Sequence, residues 1–275
     1  MFGILLITLG ILLAESAESF GKLEVKKKEE GIFTMGIINM FVGFIILLLS
    51  VFFGQKFIVS LTSLPTLIPS LFFELLQTHV TILAITRADR STFSLFRTIT
   101  IPLLLLVDVI LGYTLEFTQL FGIFIIMATI LVAGYRHVLK KSRLGLVLFT
   151  GINAVICISL YKYDISNFNS VIGEQVVVSL FILIYLGIQM MRKREEPLAS
   201  LFKFKFLAQS SAVGIGGLMV NFAYAYAPAS VILAASRALS MLWSTLAGWK
   251  YFGEKNLLNK LIVCFFLIIG VTFLI

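Results

Sequence analysis

The residues in this sequence that are best placed to bind a solute are two arginines inside long apolar stretches. Arg97 and Arg237 lie 140 positions apart, about half of the 275 residues. A charge near mid-bilayer is costly, so it usually faces the interior of a helix bundle and marks a solute pathway. The alternative is snorkelling, since each arginine lies a turn or two from the end of its stretch. The matched spacing favours interior positions, where an anionic solute would relieve the cost of desolvating the guanidinium groups.

A polar stripe lies in the first apolar stretch. Glu15, Glu18, Ser19 and Lys22 are spaced i, i+3, i+4 and i+7, which places them on one face of a helix. One interpretation is a helix end at the membrane surface with intrahelical Glu–Lys pairs. The other is a cavity lining, with Lys22 and its counterpart Lys162, again 140 positions on, as anchors for a solute. The sequence leaves both open.

The same spacing recurs in the third apolar stretch, at Glu74, Gln77, Thr78 and Thr81. Glu74 lies near the middle of this stretch, where an ionised carboxylate needs a partner or water. We therefore expect Glu74 and Gln77 to contribute to a binding site, with Glu74 able to carry a coupling proton if burial favours its neutral form. For the neighbouring His79 we expect an interhelical hydrogen bond.

Later stretches add further candidates. Asn221 and Tyr224 are polar positions in an otherwise apolar wall, and Trp243 is suited equally to core packing and to a substrate wall. Small residues permit close approach of membrane helices. We expect that role for three glycines: Gly214, Gly216 and Gly217.

Enzyme motifs are absent from the sequence. It contains no HExxH, no GxSxG, no Cys/His cluster with metal spacing and no phosphate-binding glycine loop before a lysine. We therefore expect neither an enzyme nor a bound metal or cofactor. Cys157 and Cys264 lie in apolar stretches and are expected to be small buried side chains outside any disulfide.

The composition indicates the protein class. Hydrophobic residues make up 59% and charged residues 13% of the chain, with a mean hydropathy of +1.04. A soluble domain would have about 45–50% apolar residues and about 25% charged residues. We predict an all-α integral membrane protein with ten spans. They cover residues 2–23, 31–53, 64–86, 91–111, 117–135, 144–163, 171–191, 206–226, 229–251 and 257–275.

The first span resembles a signal sequence over residues 2–14, but no Lys or Arg precedes it, so we expect a retained helix.

The net charge of +8 does not indicate nucleic acid, because the basic residues flank the spans, where they set topology and contact anionic lipid. Eighteen Lys and Arg residues fall on the side of the odd-numbered loops, against Lys56 and Lys162 on the other. This bias predicts cytoplasmic odd-numbered loops and both termini outside.

The 140-residue offset predicts two repeats of five spans, residues 1–137 and 138–275. It aligns Arg97 with Arg237, Ser19 with Ser159 and Lys22 with Lys162. Because each repeat has an odd number of spans, the second copy would cross the membrane in the opposite sense. The exchange of basic loops between the two halves agrees with this inverted arrangement.

With its ten spans in two inverted halves, the chain resembles the drug/metabolite transporter superfamily of EamA type. The resemblance is sharpest at residues 227–230 (APAS), at 252–255 (FGEK) and in the closing IIGVTFLI. The first half matches more loosely, in Ala88, Asp89 and Ser91, and in Gly112 followed by Tyr113 where a Gly-Glu pair is usual. The resemblance implies alternating access around a central cavity lined by spans one, three, four, six, eight and nine.

Together these features predict a secondary transporter, either an exporter or an exchanger, in the cytoplasmic (inner or plasma) membrane. Its substrate would be a small anionic or zwitterionic metabolite, with a proton as a possible coupling ion and a monomer or homodimer as the working unit. The alternative is a membrane protein that holds or handles a lipid without transporting a solute.

Overall fold

The computed structural model describes residues 2–110, 116–135, 144–195, 203–224, 226 and 229–273. In these ranges the protein consists of helices and their connections, without a β-strand. The helices are α1 (Phe2–Lys26), α2 (Ile32–Phe52), α3 (Leu64–Arg87), α4 (Arg90–Arg97), α5 (Thr100–Ile110), α6 (Phe117–Tyr135), α7 (Leu144–Asn167), α8 (Val171–Lys193), α9 (Phe204–Ala223), α10 (Ala229–Phe252) and α11 (Leu257–Thr272). A single 3-10 turn, Leu61–Ser63, precedes α3.

Among the residues that the structure describes, six helical segments are long and apolar enough to cross a membrane. They are Ile32–Phe52, Leu61–Arg87, Arg90–Val107, Gly145–Asn167, Val171–Lys193 and Phe204–Ala223. Two shorter apolar helical segments, Phe117–Val132 and Leu257–Thr272, fall in the fifth and tenth predicted spans. The first and ninth predicted spans form α1 and α10, of 25 and 24 residues. The prediction of an all-α chain with several helices able to span a membrane is therefore confirmed by their length and composition.

The fourth predicted span is not one continuous helix. It consists of α4 and α5, which are separated at Thr98 and Ile99. The amides of Thr98 and Ile99 bond three residues back, to Leu95 and Phe96, instead of four. Pro102 has no N–H to donate to the Thr98 carbonyl, and the Thr98 hydroxyl competes for the Leu95 carbonyl. The prediction of a single span over 91–111 missed this break, which leaves Arg97 at the end of α4.

The helices pack in a closed ring. α1 packs on α9 and α10, and α7 packs on α3 and on α4 and α5. α2 lies against α8 and α9, while α8 also contacts α3. α10 contacts α4 and α5, and α6 pairs with α11 beside α10. This arrangement brings α1, α4 and α10 to one junction, where the buried side chains of Glu15, Arg90 and Arg237 lie.

Two glycine contacts allow the closest approaches of α9. A Cβ on Gly214 would lie 2.6 Å from the Cα of Gly43 in α2, and a Cβ on Gly10 of α1 would lie 2.7 Å from the Gly216 carbonyl oxygen. The packing role expected for Gly214 and Gly216 is confirmed. At Gly217 an added Cβ would meet no described atom within 4 Å, so the same expectation for Gly217 is wrong.

Some sequence features fall outside the described residues. They are Gly112 and Tyr113, the basic stretch 136–143 that contains the repeat boundary, and Pro228.

Candidate functional site

Arg90 is the centre of a buried ion-pair network. Its side chain is fully buried, although the sequence suggested a surface loop residue that sets topology. Its guanidinium pairs with Glu15 through Nη2, and with Glu18 through Nη1 at 3.2 Å from Oε2. Glu15 also accepts a hydrogen bond from the Ser240 hydroxyl. The interpretation of the α1 stripe as intrahelical Glu–Lys pairs is therefore wrong for both glutamates, which join α1 to α4 and α10.

The turn between α10 and α11 closes on the same junction. The Glu254 carboxylate accepts hydrogen bonds from the Arg90 amide at 2.7 Å and from the Ser91 hydroxyl, so it lies at the N-terminus of α4. Lys260 Nζ lies 2.8 Å from Glu254 Oε2, the oxygen that also accepts from Ser91. Burial alone would raise the pKa of Glu254, but the hydrogen bonds from Lys260 and Ser91 hold it below its usual range.

Arg97 and Arg237 lie in the contact between α4, α5 and α10. Arg237 is buried, and its Nε is 3.2 Å from the Thr100 hydroxyl oxygen. The Arg97 guanidinium carbon is 5.1 Å from the centroid of the Phe93 ring, and its buried Nε has no hydrogen-bond partner among the described residues. The two guanidinium charges act on one another, and both interact with Glu15 and Glu18. Snorkelling to a span end does not describe Arg237, whose side chain is enclosed.

Three arginines therefore share two glutamates at this junction. Arg90 makes direct contact with both carboxylates, whereas Arg97 and Arg237 interact with them only electrostatically. Their charges leave an excess of one positive charge. Tyr224 belongs to the same electrostatic neighbourhood, since its phenol interacts with Arg97 and Arg237. This arrangement favours an additional anion near the two arginines.

Lys22 and Lys162 do not meet. Lys22 donates to the Ala88 carbonyl at the end of α3, and its Nζ lies 5.0 Å from the centre of the Phe252 ring. Lys162 donates to the Tyr224 carbonyl at 2.9 Å, at the end of α9. Each ammonium group thus satisfies a carbonyl at a helix C-terminus, where the helix dipole favours a cation. A shared anchoring role for the two lysines has no geometric basis here.

A second polar cluster joins α3 to α7. Asn153 donates to Gln77 at 2.9 Å, and Gln77 donates to the Thr150 carbonyl at 3.1 Å. One helical turn before Gln77, the half-buried Glu74 contacts the Cys157 thiol. These groups satisfy one another, so Gln77 positions α3 against α7 instead of facing an open space.

Two predicted polar side chains, His79 and Asn221, form hydrogen bonds to α8. The His79 Nδ1 lies 2.7 Å from the Tyr185 hydroxyl, which confirms the interhelical hydrogen bond expected for His79. Asn221 donates to Gln175 at 2.9 Å across α9 and α8. Asn221 and Gln175 border a small recess of about 140 Å³ on the other side of α9 from α1. Both cysteines, Cys157 and Cys264, are buried and outside any disulfide, as predicted.

A cavity of about 430 Å³ lies between α1 and α10. Three of the predicted site residues line it: Glu15, Ser19 and Trp243. Its walls are otherwise mainly apolar. The buried Ser19 Oγ and Trp243 Nε1 have no hydrogen-bond partner in the part of the chain that the structure describes.

Sequence reasoning missed the residues that complete the network, namely Arg90, Ser240 and Glu254. A signal for Arg90 existed: two acidic residues on one face of an apolar helix need a cation. Within the described ranges, no group of three or more His, Cys, Asp or Glu side chains could hold a metal ion. No protein-family model and no curated protein matches this sequence.

Proposed function

We propose that this protein is a secondary transporter of a small anionic or zwitterionic metabolite, an exporter or exchanger of the EamA type. It would work by alternating access around the junction of α1, α4 and α10, in the cytoplasmic membrane. The observation that carries the proposal is the pair of arginines, Arg97 and Arg237. Both lie inside predicted membrane spans at the contact of α4, α5 and α10, and neither makes a direct ion pair with a carboxylate among the described residues.

Two inverted five-helix repeats, 1–137 and 138–275, form part of the proposal, and the packing pattern supports them. If α1 to α6 correspond to α7 to α11, with α4 and α5 together equivalent to α10, the contacts exchange in pairs. The α1–α9 contact corresponds to α7–α3, and the α1–α10 contact to α7 with α4 and α5. The contacts of α2 with α8, α6 with α11 and α10 with α4 and α5 correspond to themselves. A two-fold relation requires this pattern.

Charge arithmetic supports an anionic substrate. Without a bound anion, the excess guanidinium charge is only partly compensated by Glu15 and Glu18. A carboxylate or phosphate between Arg97 and Arg237 would form charge-assisted hydrogen bonds, including one to the Arg97 Nε. Tyr224, which interacts electrostatically with both arginines, would orient such a group.

A coupling proton would require a second ionisable group. Glu74 is the candidate, since it is half-buried in the span and contacts the Cys157 thiol instead of a cation. In its ionised form it would be poorly compensated. We expect Glu74→Gln to abolish pH-driven flux while leaving substrate binding intact.

Ligand-dependent thermal stabilisation of the purified protein tests the substrate class. A screen would compare amino acids, nucleosides, sugar phosphates and cationic drugs. We expect stabilisation by anionic or zwitterionic compounds, lost in Arg97→Gln and Arg237→Gln and kept in Arg87→Gln, which alters an exposed arginine at the end of α3. Flux of the stabilising compound into proteoliposomes then tests transport. Stabilisation by cations, or flux insensitive to both arginine variants, would refute the proposal.

The cavity between α1 and α10 favours a second candidate function, a membrane protein that holds a lipid without transporting solutes. Under that function the purified protein would retain a lipid that resists exchange, and no tested solute would show flux. The two functions are separated by the flux assay, because lipid retention alone is compatible with both.

A further inference from the structure

The cavity between α1 and α10 is a groove on the outer surface of the helix ring. Leu12, Ser16, Phe20 and Leu23 form most of its α1 wall, and Ser19 and Glu15 lie at the edge of that wall nearest Arg90. Glu18, which also contacts Arg90, is not part of the lining. Ser16 is exposed. The groove therefore opens on the Ser16 side of α1, which the bilayer would cover, and it borders the arginine network through Glu15 at its inner edge.

Apolar walls and unsatisfied donors together define the ligand chemistry. Leu246 and Ala247 form the α10 wall opposite Phe20. At the floor, the Ser19 hydroxyl and the Trp243 indole N–H are buried without a hydrogen-bond partner in the described chain. An unpaired buried polar group is destabilising, and an indole nitrogen can only donate a hydrogen bond. The ligand must therefore combine an apolar body with acceptor oxygens.

The rim of the groove carries a positive charge. Lys250 lines the groove and is exposed, with its Nζ 5.4 Å from the centre of the Tyr251 ring. Trp249 and Tyr251 are exposed aromatic residues at the same level, as in the belts that mark a membrane–water interface. A lysine at that level attracts anionic headgroups. Deeper in the groove, the Glu15 carboxylate keeps an anionic group at the rim.

We propose that the α1–α10 groove is a specific site for an anionic phospholipid. One acyl chain would lie between the apolar walls, the ester oxygens would accept hydrogen bonds from Ser19 and Trp243, and the phosphate would contact Lys250. The cavity of about 430 Å³ falls in the range of about 300–1,000 Å³ typical of ligand sites. This site does not depend on transport, and it is separate from the arginines that would bind a soluble substrate.

The chain has only two tryptophans, which makes the site measurable by fluorescence. Trp249→Phe leaves Trp243, in the groove, as the single reporter. Phospholipids with brominated acyl chains quench tryptophans that they contact. In vesicles of mixed composition, we expect brominated phosphatidylglycerol to quench Trp243 half-maximally at a several-fold lower mole fraction than brominated phosphatidylcholine does.

Three further variants distinguish a specific site from the surrounding lipid. Ala247→Phe, which fills the groove, should remove most of the quenching of Trp243. Lys250→Gln should abolish the preference for phosphatidylglycerol, while Lys255→Gln in the exposed α10–α11 turn should keep it. The reciprocal Trp243→Phe leaves the exposed Trp249, whose quenching should follow the bulk lipid composition.

The proposal is overturned if both lipids quench Trp243 in proportion to their bulk fractions, or if Ala247→Phe leaves that quenching unchanged. Folding of each variant is checked by its helical circular dichroism and by its elution from a sizing column. Because the assay contains no transport measurement, its outcome is independent of the fate of the transport proposal.

Discussion

The fully buried guanidinium of Arg90 is ion-paired with Glu15 across the contact between α4 and α1. Because Glu15 also accepts from Ser240, this pair connects the fourth, first and ninth predicted spans. Any movement that separates α4 from α1 must either break the pair or carry both partners along. The pair is thus both a structural element and a constraint on the motions that alternating access would require.

Arg90→Gln should destabilise the protein strongly. Removal of one partner from a buried ion pair costs about 3–5 kcal/mol, because the remaining charges are left uncompensated. Here Glu15 and Glu18 would both lose their direct cation. We expect a large fall in the thermal unfolding midpoint in detergent. The control is Arg87→Gln, three residues earlier and exposed, which should change stability by less than about 0.5 kcal/mol. Equal midpoints for the two variants would contradict the network.

Gly214→Ala should also destabilise, for a steric reason. An added methyl would lie 2.6 Å from the Cα of Gly43, so α9 would have to move away from α2. Overpacking of this kind costs about 1–3 kcal/mol. Gly217→Ala is the matched control, since no described atom lies within 4 Å of its new methyl and alanine is the better helix former. The unfolding midpoint of Gly214→Ala should therefore be lower than that of Gly217→Ala. The reverse result would rule out the close contact between α9 and α2.

The fold class was accessible from the sequence because long apolar runs have few structural solutions. The candidate site was harder to predict from the sequence. Acidic residues on one face of α1 indicated a need for a cation, but the offset between repeats pointed to Lys22 and Lys162. Arg90 was counted instead with surface charges, since it lies next to the polar segment after α3. Its burial depends on how α1 and α10 pack against α4, which no local pattern encodes.

The break between α4 and α5 escaped prediction for a different reason. Despite Arg97 and its hydroxyl residues, the stretch is apolar enough on average that hydropathy gives one continuous span. The local cause is a combination of Pro102 with hydroxyl groups at Thr98 and Thr100, which bond to the Leu95 and Arg97 carbonyls. Such side chain–backbone bonds compete with helical ones. This combination was visible in the sequence, but only geometry shows that the helix actually ends there.

Glu254→Gln tests the closure of the α10–α11 turn on α4. The carboxylate is partnered by the Arg90 amide, the Ser91 hydroxyl and the Lys260 ammonium group, and its pKa lies below the usual range. A depressed pKa contributes stability that is present above the unfolded-state value, about 4.3, and is lost as the pH falls through the folded-state pKa.

We therefore expect Glu254→Gln to cost about 1–3 kcal/mol at pH 7. Below about pH 4.3, the wild-type protein loses this advantage and the two unfolding midpoints should converge. Lys255→Gln alters an exposed neighbour in the same turn and should match the wild type throughout. A midpoint difference that is constant from pH 7 to pH 3 would show that the carboxylate charge is not what stabilises the turn.

Glu30, in the connection between α1 and α2, should affect stability in the opposite sense to Glu254, because its contribution is lost as the pH rises. Its side chain is buried, and neither carboxylate oxygen has a partner among the described residues. Burial, with the Glu24 carboxylate nearby, raises the pKa of Glu30 from 4.5 to about 8, although the Lys205 ammonium group opposes the shift. Glu195, whose carboxylate caps the first turn of α2 at the Phe33 and Thr34 amides, contributes a further raising effect.

Because the folded state holds a proton that the unfolded state releases, stability should fall as the pH rises from about 4.5 to about 8 and then level off. Glu30→Gln removes the ionisable group and should be more stable than the wild type at pH 8.5, by on the order of 2 kcal/mol. At pH 4.5 the two proteins should unfold at similar temperatures. Unfolding midpoints across this range measure the difference, with exposed Glu29→Gln as the control that should not gain stability at high pH. If wild type and Glu30→Gln instead keep parallel profiles, Glu30 is ionised in the folded protein, and its carboxylate must have a counter-charge at the end of α1.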